Sequence, residues 1–168
     1  VRSIVEQARR SGIPVLTLYA FSSDNWRRPQ DEVGALMALF RRFLAAEVPK
    51  CIETGIRLTV VGRRDRLSPA LVEAIEAAEA ATRGCGDMRL RIAVDYSARD
   101  AILAAAHRAG GRRVTRSRFA YALAQASNDF DVVPDVDLLI RTGPTTGRWC
   151  ATGRSTRSSW PRRRICTT

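Results

Sequence analysis

The stretch that most constrains the fold is residues 12–28, GIPVLTLYAFSSDNWRR. It begins with an apolar run over residues 15–21 that is rich in β-branched and aromatic residues. Such a run is typical of a strand buried on both faces in a parallel sheet. A polar turn follows and ends at Pro29, a residue favoured at the start of a helix. Open α/β sheets bind ligands at the carboxyl ends of their strands, so the turn is a candidate binding site.

The polar turn offers groups that suit an anion. Ser22, Ser23, Asp24 and Asn25 follow the strand directly, and two arginines lie just beyond them. Hydroxyls, backbone N–H groups and guanidinium groups are donors that bind phosphate in proteins. The same four residues are also common turn formers, so an ordinary strand-to-helix connection is the alternative interpretation.

Three further segments have the composition of strands: residues 56–61, 88–94 and 136–141. Helical periodicity lies between them and is clearest over residues 29–54, where apolar residues recur every three or four positions. Pro49 is expected to kink or restart that helix. The alternation predicts an α/β fold with an open, largely parallel β-sheet flanked by α-helices.

The positive charge is concentrated at one end of the chain. The formal net charge is +11, but residues 144–168 hold six arginines and no acidic residue, which leaves +5 on residues 1–143. That modest excess predicts no specific nucleic-acid partner, although a basic nucleic-acid-binding protein stays open as an alternative. Residues 144–168 have no apolar periodicity, so we expect a basic tail, disordered or out of frame, after a partial domain over residues 1–143.

Three sequence motifs occur in the order typical of one enzyme family. They are SSDNWRR at residues 22–28, DYSARD at residues 95–100 and IRTG at residues 140–143. Together they resemble the cis-prenyltransferases, the undecaprenyl diphosphate synthase family. The second motif departs from the family's Asn-Tyr-Gly-Gly-Arg, since Asp95 replaces the asparagine and Ser97 and Ala98 replace the glycine pair.

The resemblance implies a reaction, its substrates and its setting. The family condenses isopentenyl diphosphate with an allylic diphosphate, such as farnesyl diphosphate, in cis geometry to make a long-chain polyprenyl diphosphate. Mg²⁺ is the implied cofactor. The implied setting is a cytoplasmic homodimer that contacts membranes peripherally through its lipid product.

The resemblance also assigns roles to individual residues. It puts Asn25 in a catalytic role, in which it helps to position isopentenyl diphosphate or its departing proton. Arg28 and Arg141 are expected to contact diphosphate, and Leu36 and Phe40 to line the wall of an apolar tunnel for the growing chain. The remaining expected substrate-binding residues are Ser22, Ser23, Asp24 and Trp26.

Two parts of the family pattern have no match in this sequence. The family's opening strand ends in Met-Asp-Gly-Asn-Gly-Arg-Trp, which supplies a Mg²⁺-binding aspartate, and this segment would precede Val1. The family's late arginine and metal-binding acid would fall after Gly143, where the match stops. We therefore expect an incomplete fold, name no metal ligand, and expect the chain itself to be inactive; a non-catalytic partner subunit is a further alternative.

Overall fold

A computed structural model describes residues 1–110, 114–129 and 134–140. The chain divides into two units, Val1–Val132 and Val133–Thr168. All the regular elements that the structure describes lie in the first unit. They are α1 (Arg2–Arg10), β1 (Val15–Ser22), a 3₁₀ helix (Ser23–Arg27), α2 (Gln30–Glu53), β2 (Ile56–Val61), α3 (Pro69–Ala81), β3 (Met88–Tyr96), α4 (Ala98–Ala109) and α5 (Arg116–Ala126).

The strands form a parallel sheet in the order β1-β3-β2. This confirms the predicted α/β class and the first three predicted strands. Leu58, Leu90 and Leu16 lie in one row across the sheet, and the next row on the same face contains Val60, Ile92 and Leu18. That apolar face belongs to the core, with α2 and α3 in contact with each other and with β2. The most deeply buried helix residues include Leu44 of α2 and Ile75 of α3.

The prediction that β1 is buried on both faces is wrong. Phe21 is buried, but Thr17, Tyr19 and Ala20 are exposed, and Tyr19 retains 61% of its accessible surface. β1 packs mainly against β3 and the 3₁₀ helix, whereas β2, although it is also an edge strand, packs against α2 and α3 as well. An apolar run therefore did not show whether both faces of a strand are covered.

At the opposite edge of the sheet, side chains at the C-terminal end of α3 accept hydrogen bonds from the backbone of β2. The Leu58 N–H donates to Thr82 Oγ1 at 3.1 Å, and the Val60 N–H donates to Glu79 Oε1 at 2.8 Å. Arg64 binds the same Glu79 carboxylate at 2.8 Å and 2.9 Å. These bonds satisfy backbone donors that an edge strand would otherwise leave unpaired.

The predicted fourth strand is wrong over its described part. Residues 134–140 contain no strand, and Val136, Leu138, Leu139 and Ile140 keep 67–73% of their surface exposed. An extended segment becomes a strand only when a neighbour binds its backbone groups, and sequence composition does not supply that neighbour. Arg141 and the expected tail over residues 144–168 lie outside the described residues.

Helix α2 runs without a break through Pro49, so the predicted restart is wrong, whereas a kink at Pro49 stays a prediction. A proline removes one N–H donor from the helix, but packing on both sides of it holds the helix together. Leu44 before the proline and Cys51 after it are both buried in the core. In the described part of the chain, no helix is long and apolar enough to cross a bilayer.

Candidate active site

The candidate site forms where β1 and β3 end beside each other. Ser22 is paired with Tyr96 in the parallel register, so the residues that follow the two strands meet at one edge of the sheet. The turn after β1 is a 3₁₀ helix over Ser23–Arg27. We call residues 22–28 the substrate loop. This placement agrees with the rule that polar groups gather at the carboxyl ends of parallel strands.

Asn25 has a fixed amide orientation. Its Oδ1 accepts hydrogen bonds from the Ser22 backbone N–H and the Ser22 hydroxyl, both at 2.7 Å. Because a backbone N–H can only donate, the atom that it meets must be the amide oxygen. The other atom of the amide, Nδ2, is therefore a hydrogen-bond donor, and it has no hydrogen-bond partner among the described residues.

Ser23 joins the loop to β3. Its hydroxyl donates to Asp95 Oδ1 at 3.2 Å. The Asp95 carboxylate also accepts from Arg66, through Nε at 2.9 Å and through Nη2. Both serine hydroxyl protons of the loop are thus used inside the protein, so Ser22 and Ser23 shape the site in this structure rather than donate to a ligand.

Trp26 is held between an aromatic ring and a cation. Its ring meets Phe21 edge-on with centroids 5.4 Å apart, and the Arg66 guanidinium lies 5.3 Å from its centroid. The Trp26 Nε1 is buried and has no hydrogen-bond partner among the described residues. Trp26 and Arg66 also line a cavity of about 340 Å³ whose apolar wall includes Val33 and Met37.

Asp24 and Arg28 are on the open side of the loop. Asp24 is exposed, and Arg28 is bound to Glu32 by a 2.6 Å ion pair on the surface of α2. An exposed pair of this kind contributes little stability, so it leaves Arg28 available to an anion. The Arg28 backbone N–H donates to the Asn25 carbonyl oxygen at 3.1 Å, so the two residues are joined through the main chain of the loop.

The two expected tunnel residues have different surroundings. Phe40 is partly buried and packs against the core, whereas Leu36 keeps 36% of its surface exposed. Neither lines the cavity beside Trp26. Arg141, the second expected diphosphate ligand, lies outside the described residues.

A tyrosine pair lies next to the loop. The Tyr19 hydroxyl donates to the Tyr96 carbonyl oxygen at 2.8 Å, and the two rings are nearly perpendicular with centroids 6.0 Å apart. Partial burial, and then the neighbouring Tyr96 and Asp24, raise the pKa of the Tyr19 phenol. The phenol is therefore held in its neutral form, in which it can donate this bond.

The described residues do not fit a Mg²⁺ site. Among them, no three His, Cys, Asp or Glu side chains lie close enough together to hold a metal. Of the two carboxylates at the loop, Asp95 is already bound by Arg66 and Ser23, and Asp24 belongs to no group of three possible metal ligands among the described residues. We therefore derive no step of the reaction through a metal held by these residues.

Sequence reasoning missed Arg66 as a site residue and noted Asp95 only as a departure from a motif. The two side chains come from segments 29 residues apart, and no spacing rule joins them. A sequence signal did exist for the Asn25 cap. Ser22 and Asn25 are three residues apart, the spacing of a capping interaction at the start of a helix.

Comparison with known proteins identifies the family of the chain. A family model described as putative undecaprenyl diphosphate synthase matches residues 1–147. The chain belongs to the undecaprenyl diphosphate synthase family. The site residues lie within the matched range, as the resemblance of the three motifs predicted.

Two curated relatives match most of this chain. Isoprenyl transferase 1 of Bradyrhizobium diazoefficiens is 53% identical over 143 residues, which cover 84% of this chain and 56% of the relative. The ditrans,polycis-undecaprenyl-diphosphate synthase of Pseudomonas aeruginosa, described as (2E,6E)-farnesyl-diphosphate specific, is 42% identical over 147 residues, which cover 85% and 59%. The chain therefore spans less than two thirds of the length of these relatives.

Two solved structures are similar to the fold. A probable undecaprenyl diphosphate synthase from Campylobacter jejuni matches with a TM-score of 0.67 and 29% identity, covering 72% of this chain and 60% of that one. Lavandulyl diphosphate synthase from Lavandula x intermedia, in complex with dimethylallyl diphosphate, matches with a TM-score of 0.68 and 27% identity, covering 71% and 55%.

Proposed function

We propose that the substrate loop is part of the active site of a prenyltransferase that condenses isopentenyl diphosphate with an allylic diphosphate in cis geometry. The allylic substrate in this proposal is farnesyl diphosphate, the substrate named in the description of the Pseudomonas aeruginosa relative. The product is a long-chain polyprenyl diphosphate. Family membership and the geometry of the loop support the proposal.

The orientation of Asn25 is the observation that carries the proposal. Because Ser22 occupies the Asn25 Oδ1 with two donors at 2.7 Å, the amide presents its NH₂ group. An NH₂ group can donate to a diphosphate oxygen, and hydrogen bonds to charged oxygens are among the strongest in proteins. It cannot accept a proton, so we assign Asn25 to binding diphosphate and not to removing the proton from the condensing carbon.

The other loop residues have supporting roles in this proposal. Trp26 presents an apolar surface beside the cavity, which suits a prenyl chain. Arg28 can leave its exposed partner Glu32 for a diphosphate, because guanidinium binds phosphate with two parallel hydrogen bonds. Leu36, Phe40 and Arg141 stay in the proposal as tunnel-wall and diphosphate-binding residues.

The wider setting is also part of the proposal. We expect a cytoplasmic homodimer with peripheral membrane contact through its product. Mg²⁺ would be required by the whole enzyme but would not be held by a complete set of ligands from the described residues. We accordingly expect no product from the 168-residue chain alone.

A chimera tests the proposal. Residues 1–143 of this chain would replace the matching segment of the Bradyrhizobium isoprenyl transferase 1, and incorporation of labelled isopentenyl diphosphate would be measured with farnesyl diphosphate and Mg²⁺. We expect a polyprenyl product with new cis double bonds. A folded chimera without product, beside an active parent enzyme, would contradict the proposal.

The same assay separates the alternative in which the chain is a non-catalytic partner. A partner subunit would leave the chimera inactive but would raise the rate of the intact relative when the 168-residue chain is added. The proposal predicts an active chimera and no such stimulation.

A further inference from the structure

The side chain of Asp95 is the most deeply buried charged group at the site. Its exposed fraction is 0%, and it lies at the end of β3 with a positive φ of 52°. Among residues other than glycine, asparagine and aspartate adopt this left-handed conformation most readily. A buried carboxylate is costly unless it is paired and fully hydrogen-bonded. Asp95 meets that condition, through two bonds from Arg66 and one from Ser23.

Arg66 connects this carboxylate to Trp26. Its Nε and Nη2 are both bound to Asp95, so the guanidinium plane is held in one orientation. In that orientation the guanidinium lies over the Trp26 ring, 5.3 Å from its centroid. The attraction between a cation and an aromatic face depends on this stacking, and a lysine could not reproduce both contacts.

We propose that Asp95 and Arg66 are positioning residues for the substrate loop. Asp95 holds Ser23 directly and holds Trp26 through Arg66, so two points of the loop are attached to the end of β3. Asn25 lies between these two points, and its Nδ2 keeps its place only while both are held. The effect on substrate rests on the proposed function, whereas the effect on Trp26 can be measured without it.

The first test uses the full 168-residue chain with Trp149→Phe and Trp160→Phe, which leaves Trp26 as the single tryptophan. Asp95→Asn keeps the size of the side chain and the residue's tolerance of positive φ, but it removes one of the two acceptors for Arg66. We expect the Trp26 emission to shift to longer wavelength and its quenching by acrylamide to rise. Arg66→Lys is expected to move both readouts in the same direction.

Asp129→Asn is the matched control. Asp129 is also a buried aspartate bound to an arginine, Arg91, and within the described residues no side-chain hydrogen bond joins it to the substrate loop. It should lower the free energy of unfolding without changing the Trp26 signal. An unchanged signal in Asp95→Asn, or equal changes in Asp95→Asn and Asp129→Asn, would overturn the proposal. If circular dichroism shows that Asp95→Asn does not fold, Arg66→Gln is used in its place. The Trp26 signal of Arg66→Gln is then compared with that of Asp129→Asn, and an unchanged or equal signal would again overturn the proposal.

The second test measures the effect on catalysis in the active chimera. Asp95→Asn should lower kcat/KM for isopentenyl diphosphate about tenfold, equivalent to about 1.4 kcal/mol. Asp129→Asn should leave that ratio within about twofold, because it acts on stability alone. An inactive chimera would count against the proposed function, while the Trp26 comparison would still decide whether Asp95 positions the loop.

Discussion

Replacing Asn25 by aspartate separates its two roles in the site. The Oδ1 of Asn25 caps the 3₁₀ helix through two hydrogen bonds from Ser22, whereas its Nδ2 is assigned to diphosphate. Asn25→Asp keeps an acceptor for Ser22 and turns the donor into an anionic oxygen. Asn25→Ala removes both groups. The two variants should therefore have similar activity but different stability.

The magnitudes follow from these contacts. Loss of a capping side chain typically costs about 0.5–2 kcal/mol, so Asn25→Ala should lower the free energy of unfolding by about 1–2 kcal/mol. Asn25→Asp should change it by less than about 0.5 kcal/mol. In the chimera, each variant should lower kcat/KM for isopentenyl diphosphate by roughly 10–10²-fold, because a hydrogen bond to a charged group is worth about 1.5–3 kcal/mol.

Asn128→Asp is the control for this chemical change. The Asn128 Nδ2 donates to the Gly62 carbonyl at 2.7 Å, so here the lost donor has a structural role. Asn128→Asp should cost about 1–3 kcal/mol of stability and leave the chimera's kcat/KM for isopentenyl diphosphate unchanged. Urea unfolding followed by circular dichroism and the incorporation assay give the two readouts. A chimera with Asn25→Asp that retains nearly full activity would refute the assignment of Nδ2 to diphosphate.

Three further predictions concern stability and reactivity. Gly62→Ala should lower the free energy of unfolding by about 2–4 kcal/mol in urea melts. A Cβ there would lie 2.0 Å from the Val94 carbonyl oxygen, and the φ of 130° disfavours any side chain. Gly34→Ala is its control: it lies in open space within α2 and should raise the free energy of unfolding by about 0.5–1 kcal/mol. The pKa of Tyr19 is raised above its usual value of 10.0, so its contribution to stability is present below about pH 10 and is lost as pH rises through the raised pKa. Tyr19→Phe should therefore reduce the fall in melting temperature above about pH 10. An equal fall in melting temperature in the variant and the parent would contradict this. Burial raises the pKa of the Cys51 thiol, so Cys51 should react with a thiol reagent more slowly than the part-exposed Cys85. Peptide mass spectrometry measures both labelling rates, and equal rates would contradict this prediction.

Much of the local structure could be predicted from the sequence. Strands β1, β2 and β3 appear as apolar runs, and α2 appears as an apolar stripe, because these patterns reflect burial of one segment against a core. The position of the candidate site at the carboxyl end of β1 could also be predicted, since Ser22–Asn25 follow an apolar strand directly. These features depend on residues close together in the chain.

Other features depended on contacts between distant segments. Tyr19 is exposed because β1 packs mainly against β3 and the 3₁₀ helix, and the composition of β1 does not specify these neighbours. Residues 136–140 are as apolar as β2, yet they form no strand, because a strand needs a neighbour. The bonds between Asp95 and Arg66 likewise join two segments that only the fold brings together.

The orientation of Asn25 could be predicted only in part from the sequence. The spacing of Ser22 and Asn25 is typical of a helix cap, so the hydrogen bond could have been predicted. Its consequence for function could not, because the direction of the amide follows from which Ser22 groups donate to Oδ1 in the folded chain. The assignment of the Asn25 NH₂ group as a donor therefore needed both the sequence and the structure.

The most direct test of this account is a crystal structure of the active chimera with isopentenyl diphosphate bound. We predict that the Asn25 Nδ2 lies within hydrogen-bonding distance, about 2.7–3.2 Å, of a diphosphate oxygen, while Oδ1 still accepts from Ser22. A diphosphate bound away from the substrate loop, or an Asn25 amide turned so that Oδ1 faces the ligand, would contradict it.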